Sequence, residues 1–352
     1  MKRKVSLLLI IVLLLGVLAG CSSSNTGQEQ KKDVQVSDTS SEATKELSEE
    51  ELWKQEPMYG KTIKVGYNGG LCEGSSGIAK ALGFFEKEGL DVEIVNVQQF
   101  IDAVGTNQIQ VASSHIAQLL VPAVNGINMV FTTGIQSGCK SLYVLNNGEI
   151  NSTSDLIGKT VAIPAGIGSS DHNIALRFFN HDNINPNEIN FKQVESSACI
   201  LAMQNGEVQG VILSDQFAEQ FVIDGTLKII RSLTYDEDFK VEPCCVYALN
   251  RDFVNENPIT AKKLTKALQE ARFWISENLE EATKILFENN WASGDFDRAV
   301  RMISSYDWTI SDENTEKALR NIIDDYKTFG LIDSSLDTQE VLDHIWKPLM
   351  KK

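Results

Sequence analysis

The sequence predicts an α/β fold: two similarly wired αβ lobes around a shared cleft, with a helical C-terminal part. Three observations carry this. Residues 61–97 read as strand, Gly-rich loop, helix and strand. The same order returns at Thr160, after a polar connection over 151–159. Beyond Pro258 the apolar spacing is helical throughout.

The chain has 352 residues, enough for two domains with sizeable cores. A net charge of -16 and a pI near 4.8 argue against nucleic acid as a partner, which calls for a basic stripe. Lys2, Arg3 and Lys4 precede an apolar run over 5–18, and Leu18-Ala19-Gly20-Cys21 ends it. That run is short for a bilayer span. Small residues before a Cys resemble the lipobox of bacterial lipoproteins. The resemblance implies that 1–20 are a signal peptide and that Cys21 becomes the lipidated N-terminus. The chain would then sit on the extracytoplasmic face of the cell membrane. Residues 21–58 are rich in Ser, Gln, Glu, Lys and Asp and read as a flexible tether, with a short exposed helix over 44–53.

In the first lobe, Ile63, Val65 and Tyr67 alternate with polar residues, the mark of a half-buried strand. Glycines in the loop at 68–77 permit positive φ and close approach of a partner to the backbone. Ser75 or Ser76 can cap the next helix, where Ile78, Leu82 and Phe85 share a face. A strand at 91–97, a short helix around Ile101 and Val104, and a strand at 108–112 follow. Ser113-Ser114-His115 reads as a loop, 116–125 as an apolar helix, and 129–133 and 141–145 as strands.

The second lobe runs from a strand at 160–163 through the loop 164–170 into a helix with Ile174, Phe178 and Phe179 on one face. A strand at 189–194, a helix at 197–205 and a strand at 208–213 lead to Ser214-Asp215-Gln216, which opens another helix. Gly74-Ser75-Ser76 matches Gly168-Ser169-Ser170, and Ser113-Ser114-His115 matches Ser214-Asp215-Gln216. Strands at 227–231 and 242–249 follow, the second crossing back to the first lobe. Helices are expected at 261–278, 280–288, 296–306, 313–329 and 338–349, with Trp274, Trp291, Trp308 and Trp346 as packing anchors. The boundaries that result are 59–148 with 241–352 for lobe 1 and 149–240 for lobe 2.

Lys64-Val65-Gly66-Tyr67, the run from Ala79 to Val92 containing Gly83-Phe84-Phe85-Glu86, and Asp155-Leu156-Ile157-Gly158-Lys159-Thr160-Val161-Ala162 resemble the SsuA/THI5-like, or NMT1-like, family of ABC-transporter substrate-binding proteins. The resemblance covers roughly 60–335. It implies a type II periplasmic-binding-protein fold that closes on a small polar solute of the nitrate, sulfonate, taurine or thiamine-precursor class. It also implies delivery to an ABC permease and its ATPase, a monomeric chain, no catalysis and no cofactor.

By position, the first-lobe candidates for ligand contact are Cys72, Glu73, Ser75, Ser113, His115, Cys139 and Lys140. The second-lobe candidates are Gly168, Ser169, Ser170, Asp215 and Gln216. Hydroxyls and free amides at helix starts suit an anionic head group. Yet only Lys140 is reliably cationic there, and Glu73, Asp171 and Asp215 lie nearby.

Besides Cys21, the cysteines are Cys72, Cys139, Cys199, Cys244 and Cys245. An odd number cannot all pair within one chain. Three readings stay open: small buried hydrophobes, a Cys72–Cys139 disulfide, or a soft metal held by Cys72, Cys139, one of the tandem pair and His115. Alternatives to an importer component are a membrane-anchored solute sensor, or a THI5-like enzyme or metal-complex binder using the cleft cysteines.

Overall fold

The computed structural model describes residues 47–350. The expected signal peptide, Cys21 and most of the expected tether lie outside the described residues. The end of that tether does not. Helix α1 (Glu49–Trp53), with Ser48 and Glu51 forming a capping box, docks on the folded body. Trp53 is buried, and its indole donates to Thr260 Oγ1 at 2.9 Å. Glu56 accepts from the backbone amides of Ile259 and Thr260, so it caps a C-terminal helix from outside. An apolar Trp beside a carboxylate gives this polar stretch enough to order on, which composition alone conceals.

The first lobe opens with β1 (Ile63–Gly66), α2 (Ser75–Ala81), α3 (Phe84–Lys87), β2 (Val92–Val95), α4 (Phe100–Gly105), β3 (Val111–His115), α5 (Ile116–Val124) and β4 (Met129–Gly134). The single helix expected at 78–85 is two, broken at Gly83 (φ 73°). The break turns Leu82 outward to 41% exposure while Ile78 and Phe85 stay buried. Ser75 and Ser76 lie inside α2 rather than capping it. Ser113-Ser114-His115, expected as a loop, is the end of β3, held in register by a strand from far along the chain.

The chain then crosses to a second sheet: β5 (Lys140–Leu145), β6 (Thr160–Ala162), α6 (Ser170–His181), β7 (Asn190–Lys192), α7 (Ser196–Gln204), β8 (Gly210–Ser214), α8 (Asp215–Ile223) and β9 (Leu227–Ser232). It returns through β10 (Cys245–Asn250) to α9 (Arg251–Glu256), α10 (Pro258–Glu277), α11 (Leu279–Glu288), α12 (Phe296–Ser304), α13 (Asp312–Thr328) and α14 (Thr338–Ile345).

The strand orders are β2-β1-β3-β10-β4 and β7-β6-β8-β5-β9. Within each sheet the first three strands are parallel, and the fourth is antiparallel to both of its neighbours. That fourth strand comes from the other lobe in both cases. β5 therefore belongs to the second sheet, a correction to the lobe boundary expected at 148. Residues 135–139 are therefore a crossover, and residues 233–244 are its partner in the reverse direction.

The cores follow from this wiring. Val65, Val111, Tyr247 and Leu249 face α2 and α10 on one side of sheet one. Ala112, Phe131, Val246 and Ala248 face α5, α13 and α14 on the other. A separate cluster around Tyr143, Cys199, Met203 and Val211 backs sheet two. Trp308 and Trp346 are buried, and Trp274 and Trp291 pack on the same core from partly exposed positions. Among the described residues, no helix is long and apolar enough to cross a membrane.

Candidate functional site

Both crossovers and the ends of β1, β3 and β10 meet at one place between the lobes. The crossovers are bonded to each other there. Cys244 N–H donates to the Gln136 carbonyl at 2.8 Å, and Ile135 N–H donates to the Cys245 carbonyl at 2.8 Å. Cys245 sits opposite His115 in the ladder. Along β10 the side chains alternate, with Cys245, Tyr247 and Leu249 on one face. Cys244 escapes that alternation because the chain leaves the sheet at Pro243-Cys244, so both thiols reach one space.

The result is a cluster of sulfur and nitrogen. Cys244 Sγ lies 3.0 Å from His115 Nδ1 and 3.1 Å from Cys139 Sγ. Cys139 Sγ is 3.7 Å from His115 Nε2, and Cys245 Sγ is 4.0 Å from Cys244 Sγ. Cys245 is shared with a second group, Cys72 and Glu73, on the loop before α2. All five cysteines of the described residues are free thiols, so the Cys72–Cys139 disulfide is not formed. Cys199 is apart, its thiol donating to the Val194 carbonyl.

Cys139 is held in an unusual posture. Its φ is +98°, a region that favours glycine, and Gly138 before it is at +92°. Its N–H donates to Thr234 Oγ1 at 2.8 Å, and its carbonyl accepts from Asp215 N–H at 2.9 Å. Asp215 in turn accepts from Thr234 and from the Tyr143 hydroxyl. Asp215 is thus the buried hub that fixes Cys139, with both carboxylate oxygens engaged inside the lobe. Burial pushes its carboxyl up to about 6, against hydrogen bonds from Thr234 and Tyr143 that favour the charge.

Glu73 accepts from Ser113 Oγ at 3.3 Å. Burial pushes its carboxyl up to about 8, with Cys139 adding to the rise. The Cys139 thiol is held well below the ordinary range: burial acts to raise it, but hydrogen bonds from the neighbouring thiols, with an electrostatic contribution from His115, outweigh that. Burial raises Cys244 and Cys245. Lys140 pairs with Asp171 at the start of α6 and reaches Ser170 Oγ at 3.4 Å. The lobes touch just beyond. Asn173 Nδ2 donates to the Ala117 carbonyl at 2.8 Å, and Arg177 is buried between Glu242 (2.9 Å) and Asp325 (2.7 Å). Between these contacts and Cys244 lies a cavity of about 30 Å³, room for a water or two.

Six of the seven first-lobe candidates therefore converge here: Cys72, Glu73, Ser113, His115, Cys139 and Lys140. Lys140 does so as the first residue of β5, on the second sheet. Ser75 is different: it is fully buried, and its hydroxyl is 2.6 Å from Tyr247 Oη. In the second lobe, Ser170 reaches the site. Ser169 caps α6, and Gly168 beside it is exposed. Gln216 lines a separate hollow with Ser293, Asp295 and Arg298. Sequence reasoning missed Arg177, Glu242, Thr234 and Tyr143. A lone Arg on the helix after the second loop was the available signal for the first of these.

The close approach expected of the first glycine loop is taken by the chain itself. A Cβ at Gly77 would lie 2.5 Å from the Trp291 ring, and one at Gly69 would lie 2.8 Å from the Trp291 carbonyl oxygen. Gly70 N–H donates to that carbonyl at 2.7 Å.

Comparison with known proteins agrees with this fold. The family model described as NMT1/THI5 like matches residues 77–282. No curated protein matches in sequence. Among solved structures, the periplasmic aliphatic sulphonate binding protein SsuA of Escherichia coli is similar at 17% identity and TM-score 0.66, over 81% of this chain and 97% of that one. The periplasmic nitrate-binding protein NrtA of Synechocystis PCC 6803 is similar at 16% identity and TM-score 0.66, over 81% and 86%. The ligand-binding component of an ABC-type import system from Staphylococcus aureus, with zinc bound, is similar at 13% identity and TM-score 0.64, over 82% and 96%. With its model matched over more than half of the sequence and two crossed sheets sharing this topology, the chain belongs to the NMT1/THI5-like family and has the type II periplasmic-binding-protein fold.

Proposed function

We propose that this chain is the extracytoplasmic solute-binding component of an ABC importer, lipid-anchored through Cys21, monomeric and not an enzyme. It captures a small polar solute by hinge closure and presents the closed form to a permease and its ATPase. One observation carries the reading. The strand ends and helix starts of both lobes converge on the two crossovers, the only covalent links between the sheets among the described residues. A rotation about those crossovers would open and close the contacts between the lobes, Asn173 with Ala117 and Arg177 with Asp325.

The solute site would comprise Cys72, Glu73, Ser113, His115, Cys139, Lys140 and Ser170, with Gly168 and Ser169 at its rim. Ser75 and Asp215 would position it from within. The names of the similar proteins, read together, span an aliphatic sulphonate, nitrate and zinc. The fold therefore does not choose the solute; the side chains at the crossovers do.

Native mass spectrometry of the purified chain, paired with small-angle scattering, tests this. A retained solute whose removal expands the particle is the expected result. A chain whose dimensions ignore every bound solute would overturn hinge closure. Gene neighbours encoding a kinase, in place of a permease and an ATPase, would favour a sensor.

A further inference from the structure

The thiols at the crossovers are an unusual floor for an anion-binding cleft. They come from sequence positions 72, 139, 244 and 245, so no local spacing brings them together. The fold does so: His115, Cys139, Cys244 and Cys245 offer ligand atoms that all lie within 4.8 Å of one another. In a tetrahedral site with metal–sulfur bonds near 2.3 Å, neighbouring ligand atoms sit roughly 3.4–3.8 Å apart. With Nδ1 as the ring donor, the observed separations of 3.0, 3.1, 4.0 and 4.0 Å lie on either side of that range.

Two features argue that this is more than thiols filling space. The first is Cys139. A glycine would adopt its backbone without strain, yet a cysteine stands there, and Thr234 and Asp215 hold both its N–H and its carbonyl. The second is scale. The adjoining cavity of about 30 Å³ does not admit an organic solute, whereas a single ion needs only a small displacement of the sulfurs. The hard-oxygen complement is thin, since Glu73 is the one carboxylate grouped with the thiols. Sulfur with imidazole selects soft and borderline ions.

We propose that Cys139, Cys244 and His115, with Cys245 as the fourth donor, bind a single thiophilic metal ion of the Zn(II) or Cu(I) class. Cys72 and Glu73 flank it through Cys245. This rests on the binding-protein reading and names the class of solute. Each thiol that becomes a ligand releases its proton to solvent, and His115 binds as the neutral ring. No oxidation is involved. Cys139 and Cys244 lie on opposite crossovers, so an ion bridging them ties the hinge at its axis.

The test uses the full chain, reduced and kept anaerobic, titrated with Zn(II) in one arm and Cu(I) in another against a chromophoric competitor. Co(II) serves as a spectroscopic stand-in. We expect saturation at one ion per chain, a thiolate-to-Co(II) charge-transfer band and proton release on binding. Cys139→Gly relieves the backbone while removing a ligand, so it should fold and bind at least about 100-fold more weakly. Cys244→Ser should do the same, and Cys199→Ser should bind as the parent does. Tighter retention of Zn(II) or of Cu(I) identifies the ion.

A charge-transfer band that persists in the Cys139→Gly/Cys244→Ser double variant would overturn the site. So would a Cys139–Cys244 disulfide in protein taken from cells under thiol-blocking conditions. A retained organic solute with all thiols free would overturn the metal site and leave the solute-binding reading standing. One bound ion with no change in scattering would support the site and overturn closure around it.

Discussion

The two loop-to-helix junctions at the heads of the lobes are wired alike and used differently. In the first lobe the glycine loop before α2 is filled from within. Trp291 lies against Gly69 and Gly77, its carbonyl accepts from Gly70, and Ser75 and Ser76 are bonded to Tyr247. In the second lobe the loop before α6 stays on the surface: a Cβ at Gly168 would meet nothing within 4 Å, and Ile167 is 69% exposed. The helices that follow are anchored by different physics. α2 is held by apolar packing against α10 and α11, whereas α6 adds the buried ion pairs of Arg177 to the packing of Ile174, Phe178 and Phe179. Equivalent topology thus fixes where a junction sits, not what occupies it.

The difference can be broken most forcefully at Arg177. Arg177→Met leaves Glu242 and Asp325 facing each other without their cation, and we expect a loss of about 3 kcal/mol or more in chemical denaturation. Gly77→Val attacks the other anchor. Its side chain would drive into the Trp291 ring, for about 2 kcal/mol. High salt should soften the first contact more than the second.

Acid separates the two junctions next. Burial raises the Asp325 carboxyl, but His181 and Arg177 overcome this and hold it below its ordinary 3.8. A lowered carboxyl contributes stability that is complete above 3.8 and lost as the pH falls through its lower folded value. Thermal melts should therefore show an acid-side decline that is blunted in Arg177→Met and intact in Gly77→Val. An unchanged decline in Arg177→Met would disconnect the pair from acid stability.

The smallest effect sharpens the comparison. Gly69→Ala and Gly168→Ala both force a side chain onto positive φ (+90° and +79°), for about 1 kcal/mol each. Only the first also meets a backbone oxygen at 2.8 Å. The gap between the two melting shifts isolates the Trp291 contact, and equal shifts would mean that Trp291 yields freely.

Much of this was legible in the residues. Alternation at Ile63, Val65 and Tyr67, the helical spacing after Pro258 and the doubled order of elements all reflect local periodicity, which a chain carries in itself. What was not legible depends on partners distant in sequence. Ser113–His115 looked like a loop because the strand that extends β3 arrives 130 residues later, at Cys245 opposite His115. β5 looked like part of the first lobe because nothing in Lys140–Leu145 says which sheet it joins. Trp291 was read as a packing anchor, which it is, but its target was the loop reserved for a ligand. The thiol cluster shows the same limit. Its members were each noted, and only the exchange of β5 and β10 between sheets brings them within bonding reach.

The docking of α1 has a mechanical consequence. Trp53 is wedged against Gly89 and Lys263, and Glu56 grips the first amides of α10, which itself lies along α2 and α3. Tension applied through the chain ahead of residue 47 therefore enters the first lobe at its rear and is resisted by a twenty-residue helix. That path bypasses both crossovers, so a load on it leaves the links between the two sheets untouched.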